Sequence, residues 1–509
     1  MHTQVRAAGT RRYAVLSVTA GVLLVLVLGL LVLWQEKFLF AYSQPWLLAN
    51  RVLLPLALSC ITLLVALRHF CARRAPRWGA GRWLVAVYFL FLLGVQLVVT
   101  HAVWFYAGWD VSNVYGGAEQ LAKGLTVDGA YYRLCPNNAP LTLLLALPLW
   151  MAESLKLAVP YAVLPYLGAV LANLACQLTL ACVRRLTRSR FARLGALGLC
   201  TVWLALSMTM TVPYTEVFAL LFPVLAFYVW LSVKGPFAKW GLISLICFFG
   251  ASIKPTVLIV EIALVAVSAL GAFPLRRLGA AGARRVAIGL IALLLGAVPG
   301  RVWQDGATAY LAGSANPQEQ LSETHYLMMG MNGTTYGGHL PEDVAYSTSF
   351  ATLAERRQAN LQRAWERVTG RNLAENLYFF AVKTYKAFGD GMLASNNSYL
   401  MEQKTRRDDP LSRFLRSIYY PTGDLHSLAV TVEQTVWLGL LALCAVALLS
   451  RTRRRPAVAA LGLTLFGAGL YLLLFEDWPR YLYLYAPLFI VLAALGLERL
   501  RLPRRAPHA

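Results

Sequence analysis

Runs of roughly 18 or more apolar residues recur along this chain, and they leave few folds open to it. In hydrocarbon a backbone has no water to bond, so a spanning segment must satisfy its own N–H and C=O groups, as a helix does. Spans are expected near 13–34, 52–67, 83–104, 160–183, 192–212, 217–234, 239–252, 256–271, 285–303, 433–450, 457–475 and 481–499. The fold class is therefore all-α, a polytopic membrane protein of about 12 helices, with 11 to 13 as the range. Composition agrees: 58% of residues are apolar and only 14% charged, where a soluble domain has about a quarter charged.

A net charge of +23 on 509 residues could suggest a nucleic-acid partner, but its distribution excludes that. The basic residues gather between alternate pairs of spans: Arg6–Arg12, Arg68–Arg82, Arg184–Arg193, Lys234–Lys239, Arg276–Arg285, Arg451–Arg455 and Arg499–Arg505. These segments hold 27 basic residues, with only the adjoining Glu498 as an acid, so the rest of the chain is slightly acidic. That is the positive-inside pattern, and it puts both termini and every arginine cluster on the cytoplasmic side. The first run, Tyr13–Leu33, is long for a signal sequence and no small-residue cleavage site follows it, so it is expected to stay as a span. Residues 139–152 are apolar but about 14 long and contain Pro148, which fits an interfacial or re-entrant helix. The expected organisation is an N-terminal module, 1–303, with an outer segment at 105–159. A mainly helical extracytoplasmic region follows at 304–432, with an amphipathic helix near 353–369, and then C-terminal spans at 433–509.

Chemistry is sought where polar residues meet the ends of spans. Asp110, in FYAGWDVSNVYGG just past the third span, could take a proton from a hydroxyl, or could simply cap a helix. Glu119 is the second acid of that loop. Cys135-Pro136-Asn137-Asn138-Ala139-Pro140 forms a turn that could aim Asn137 and Asn138 into a cavity. Lys254, in GASIKPTV between two apolar runs, is costly at that depth and could hold a phosphate, or could snorkel to the interface. Glu216, Glu476, Asp477, Arg480 and Tyr481 lie at outward ends of other spans, and an arginine can bind phosphate oxygens bidentately. His325, in ETHYLMMGMNG, is a candidate contact to donor or acceptor, and His339 a weaker one. No metal-type spacing, disulfide framework, phosphate-binding glycine loop or internal repeat is present.

Taken together, the aromatic residues before Asp110, the Pro-Asn-Asn run, Ile253-Lys254-Pro255-Thr256, the His325 stretch and Arg480-Tyr481 resemble the GT-C superfamily of membrane glycosyltransferases. The likeness is to the branch of protein O-mannosyltransferases and aminoarabinose transferases, and to an uncharacterised bacterial subgroup. There are departures: a single Asp110 instead of an Asp-Glu pair, and Pro-Asn-Asn in place of His-Pro-Pro. The resemblance implies a multi-pass protein of a bacterial plasma membrane with its site on the extracytoplasmic face. The donor would be a polyprenyl-phosphate sugar and the acceptor an envelope glycan, glycolipid or protein. Asp110 would be the base, with Lys254 and Arg480 balancing the phosphate. No cofactor is implied beyond the lipid-linked donor; a divalent metal is compatible with this chemistry, but no ligand set supports one. Two other classes share the layout, a transporter or lipid flippase and another transferase or ligase of lipid-linked substrates.

Overall fold

The computed structural model describes residues 2–34, 46–72, 82–272, 279–313, 319–395, 401–402 and 407–500. Basic residues expected at 73–77, 276–277 and 501–505 lie outside them. The chain begins with three spans, α1 (His2–Leu33), α2 (Asn50–Ala72) and α3 (Arg82–Val103). A segment between spans follows, made of α4 (Trp109–Ala122), the short α5 (Ala130–Leu134) and α6 (Ala139–Ser154). The membrane helices resume as α7 (Val163–Leu186), α8 (Arg190–Leu199), the short α9 (Thr215–Phe218), α10 (Leu221–Ser232), α11 (Pro236–Ile253), α12 (Leu258–Ala272) and α13 (Gly279–Ala312). A second and longer segment between spans, expected from the sequence to be the outer region, holds α14 (Glu323–Gly330), α15 (Pro341–Thr348), α16 (Leu353–Thr369), α17 (Leu373–Phe388) and α18 (Pro410–Tyr419). Three helices close the bundle: α19 (His426–Leu449), α20 (Pro456–Leu474) and α21 (Ala486–Arg499). The one sheet pairing among the described residues joins Tyr106–Ala107 to Met401–Glu402.

Among the described residues, 11 helical stretches are long and apolar enough to cross a membrane. The chain is thus an all-α polytopic membrane protein. The expected span at 192–212 is not one continuous helix. After α8 the chain makes a π-helical turn at Cys200–Ala205 and a 3-10 turn at Met208–Thr211. The stretch is apolar on average, but Ser207 caps the 3-10 turn and Thr209 and Thr211 lie within it, residues that favour turns over helix interiors. Residues 139–152 fall in one helix, α6, which packs beside α4 and leaves Leu147, Trp150 and Met151 exposed. The amphipathic stretch at 353–369 is α16, started by a capping box of Thr352 and Glu355.

The bundle sorts its charges by end. Arg455 donates to the Leu186 carbonyl and approaches Glu498, Ser17 donates to the Arg453 carbonyl, and Arg193 binds the Thr187 carbonyl. The described arginine clusters at 184–193 and 451–455 thus share one end. Asp110, Glu216, Lys254 and Arg480 share the other, as shown below. The sequence placed the outer boundary of the ninth span at 303, but α13 continues to Ala312. At about 1.5 Å per residue its 34 residues exceed a hydrocarbon core of about 30 Å, and its last turns reach α5. There Ala307, Leu311 and Ala312 pack on Tyr132 and Ala139, which props up the Pro-Asn-Asn turn.

The core is centred on α21, which is buried almost throughout and packs on α7, α8 and α19. Near the site, α7 presses against the broken segment after α8. A Cβ placed on Gly168 would stand 2.0 Å from the Met210 carbonyl oxygen, a contact no flexible side chain can relieve. Gly168→Val should therefore cost about 1–3 kcal/mol through backbone displacement, read as a lowered thermal midpoint in detergent.

Candidate active site

Four breaks in the helices meet at one end of the bundle, and each carries a polar side chain. The first lies between α3 and α4, where Trp109 adopts φ +49. A tryptophan in that left-handed region is strained, and strain of this kind gathers at functional sites. It turns the chain sharply and starts α4, with Asp110 in the first turn. The second break is Pro213–Tyr214, extended after the 3-10 turn, which delivers Tyr214 and then Glu216 in α9. The third is Lys254, held extended between α11 and a 3-10 turn at Pro255–Val257. A residue before proline avoids the helical region, so Pro255 causes this break. The fourth is Phe475–Tyr485, where α20 ends and a 3-10 stretch carries Arg480 and Tyr481 into α21.

Asp110 is half-buried, and its carboxylate receives two phenols. Tyr131 Oη donates to Oδ1 at 2.8 Å and Tyr214 Oη to Oδ2 at 3.3 Å. Asn138 donates to the Tyr131 oxygen at 2.6 Å, and its own Oδ1 lies 3.3 Å from Tyr214 Oη. Burial, together with nearby acidic groups, holds both phenols far above the ordinary tyrosine range, so they remain O–H donors. The carboxylate is thereby fixed in direction.

Beside it lies an ion cluster. Glu216 Oε1 is 2.8 Å from Lys254 Nζ and 3.5 Å from Arg480 Nε; the second is an ion pair without hydrogen-bond geometry. The side chains are only 4%, 12% and 15% exposed in the order Glu216, Lys254, Arg480. Aromatic rings complete the wall. The Arg480 guanidinium sits 4.0 Å from the Trp109 ring centroid, Lys254 Nζ is 3.6 Å from that of Tyr481, and Trp109 packs edge-on against Tyr214 at 4.6 Å. Cations over aromatic faces are favoured, more so when desolvated. Glu476 accepts from Tyr481 Oη at 2.5 Å and from Trp478 Nε1 at 3.1 Å. A cavity of 30 Å³, about one water's worth of space, lies between Trp109, Thr209, Glu216, Ser395 and Arg480.

Asp110, Asn138, Glu216, Lys254, Arg480 and Tyr481 therefore converge, as expected of a site. Asn137 stands next to it, donating to Asn138 Oδ1 at 3.3 Å. Glu119 does not join them. It lies nine residues further along α4, about 13 Å at the helical rise, and pairs with Lys123 at 2.9 Å. His325 is also elsewhere: it is buried against Ser347, which donates to Asn360, and burial pushes its imidazole down to about 4. It serves the packing of the outer helices. Tyr214 and Trp478 were not singled out from sequence, nor was Tyr131 separated from its run. Aromatic residues at a membrane interface are too common to single out.

Spans that break around a buried ion cluster at one end define a polytopic integral membrane protein with a polar site at one face. The family model described as "Conserved hypothetical integral membrane protein" matches residues 18–500, and the chain belongs to that family. No curated protein matches the chain.

Two cations share one carboxylate here, so removing it should be costly. Glu216→Gln strands two buried positive charges and should destabilise the protein by about 3–5 kcal/mol. Adding Lys254→Met should recover part of that loss. Thermal midpoints of the two variants in detergent check both statements, and no recovery would mean that the pair is not coupled.

Proposed function

We propose that the protein is an extracytoplasmic glycosyltransferase of a bacterial plasma membrane, moving one sugar from a polyprenyl-phosphate donor to an envelope acceptor. The observation that carries this is the meeting of an oriented, partly accessible carboxylate with two buried cations at one end of a membrane bundle. A carboxylate alone would serve a cap, and a cation pair alone an anchor. Together they match the two ends of a displacement at a glycosyl phosphate.

In this scheme the acceptor hydroxyl gives its proton to Asp110 as its oxygen bonds to the anomeric carbon. The bond from that carbon to the phosphate oxygen breaks, and the phosphate leaves with the electron pair. Configuration inverts. The phosphate is a good leaving group, so it needs charge compensation more than a proton. Lys254 and Arg480 supply two positive charges against the single charge of Glu216, and Arg480 has further N–H groups to offer. Tyr131, Tyr214 and Asn138 hold the base in line. An apolar groove of 370 Å³ between α1, α17, α20 and α21, lined by residues such as Val27, Phe388 and Leu465, suits a prenyl chain. Leu473, one of its lining residues, lies in the last turn of α20, just before the segment that leads to Arg480.

The purified protein in detergent should transfer label from one member of a panel of radiolabelled polyprenyl-phosphate sugars. Asp110→Asn, which keeps the shape, should lower turnover at least about 100-fold, the usual scale of a lost general base. Full turnover in Asp110→Asn would remove Asp110 from the role. No transfer from any donor, by protein that moves lipid between leaflets, would favour a flippase.

A further inference from the structure

Between α20 and the 3-10 stretch that starts at Pro479, the backbone is extended at Phe475 and at Trp478, and side chains along extended backbone alternate between opposite sides. Glu476, Trp478 and Arg480 meet one another at the site. Asp477 points the other way, into the outer region. It is fully buried, and neither of its oxygens has a hydrogen-bond partner. The positive charges acting on it are those of Lys386 and Lys383, both on α17 and both fully buried. Three ionisable groups in one dry place are a feature that packing alone does not require.

Lys383 has a second attachment. Its ammonium donates to the carbonyls of Gly330, Leu473 and Phe475 at 2.7, 2.9 and 2.9 Å, which uses all three of its protons. Gly330 ends α14, and Leu473 lies in the last turn of α20. One cation thus caps the negative ends of two helices, one from the outer region and one from the membrane bundle. Lys386 reaches the Thr335 and Tyr336 carbonyls and lies 5.2 Å from the Trp478 ring. The Asp477 amide donates to the Gly337 carbonyl at 2.9 Å. Gly337, at φ +80, leaves the room this needs: a Cβ there would stand 2.7 Å from Lys383 Nζ. Burial drives the Lys383 amine down and the Asp477 carboxyl up, and each is partly restrained by the other's charge. Loss of either therefore weakens the hold of the other.

We propose that Lys383 is a positioning residue: with Lys386 and Asp477 it locks the Phe475–Pro479 segment to the outer region and so fixes Arg480 and Trp478 at the site. The outer helices thereby set the geometry of the cation pair without touching the substrate. This rests on Arg480 being a phosphate-binding group, as proposed above.

The test reads the segment's geometry directly. Trp478→Cys is made in a background with Cys60→Ser, Cys71→Ser and Cys135→Ser, and its labelling rate by a water-soluble thiol reagent is measured well below the thermal midpoint. Ser112→Cys on α4 is the control. Lys383→Met and the isosteric Asp477→Asn should each raise labelling at position 478 at least tenfold and leave position 112 unchanged. In a transfer assay they should raise KM for the donor more than they lower kcat. If Lys383→Met does not fold, Asp477→Asn decides alone. Unchanged labelling at 478 in folded variants with lowered thermal midpoints would reduce the lock to a stabilising contact and overturn the proposal. Raised labelling together with a wild type that transfers no sugar would leave the lock standing and remove the transferase.

Discussion

Glu216 is the point on which this end of the molecule depends. Its carboxylate joins Lys254, from the break between α11 and α12, to Arg480, from the break between α20 and α21. Without it both would be left as buried charges with no ion-pair partner, which costs several kcal/mol. The breaks depend in turn on the ions. Unwound backbone at membrane depth is tolerated where it is buried in protein or lines a polar cavity, and the cluster supplies that setting.

The same constraint accounts for the unusual backbone nearby. The π-turn after α8, the left-handed Trp109 and the strained Leu393–Ala394 pair border the cavity or lead into it. Regular helices would carry these side chains past the site. Each break spends regularity to bring one polar group to a common place, and the surrounding helices hold it there. The outer region contributes through Lys383, which ties the end of α20 to α14 and keeps the fourth break in register with the others.

Much of this was legible in the sequence, for identifiable reasons. The apolar runs gave the spans because no other structure satisfies a backbone in lipid. Asp110, Glu216, Lys254 and Arg480 stood out because charges at the ends of such runs are expensive. The break inside 192–212 is easily passed over because the stretch is apolar on average, although Ser207, Thr209 and Thr211 stand at its end and Ser207 caps the 3-10 turn there. Tyr131 and Tyr214 were hidden among other interfacial aromatics. His325 drew attention because its stretch is unusual, yet that composition reflects a buried contact with Ser347. Lys383 and Lys386 look like ordinary polar positions of an amphipathic helix until the end of α20 is placed on them.

As proposed above, Lys254 and Arg480 together form the seat of a lipid phosphate, next to Asp110 but distinct from it in role. Equilibrium binding of radiolabelled undecaprenyl phosphate to the purified protein tests it most directly. Binding should be saturable, weaken at least tenfold in Lys254→Gln and in Arg480→Gln, and be unchanged in Asp110→Asn. Equal binding by the wild type and both cation variants, each folded, would contradict it.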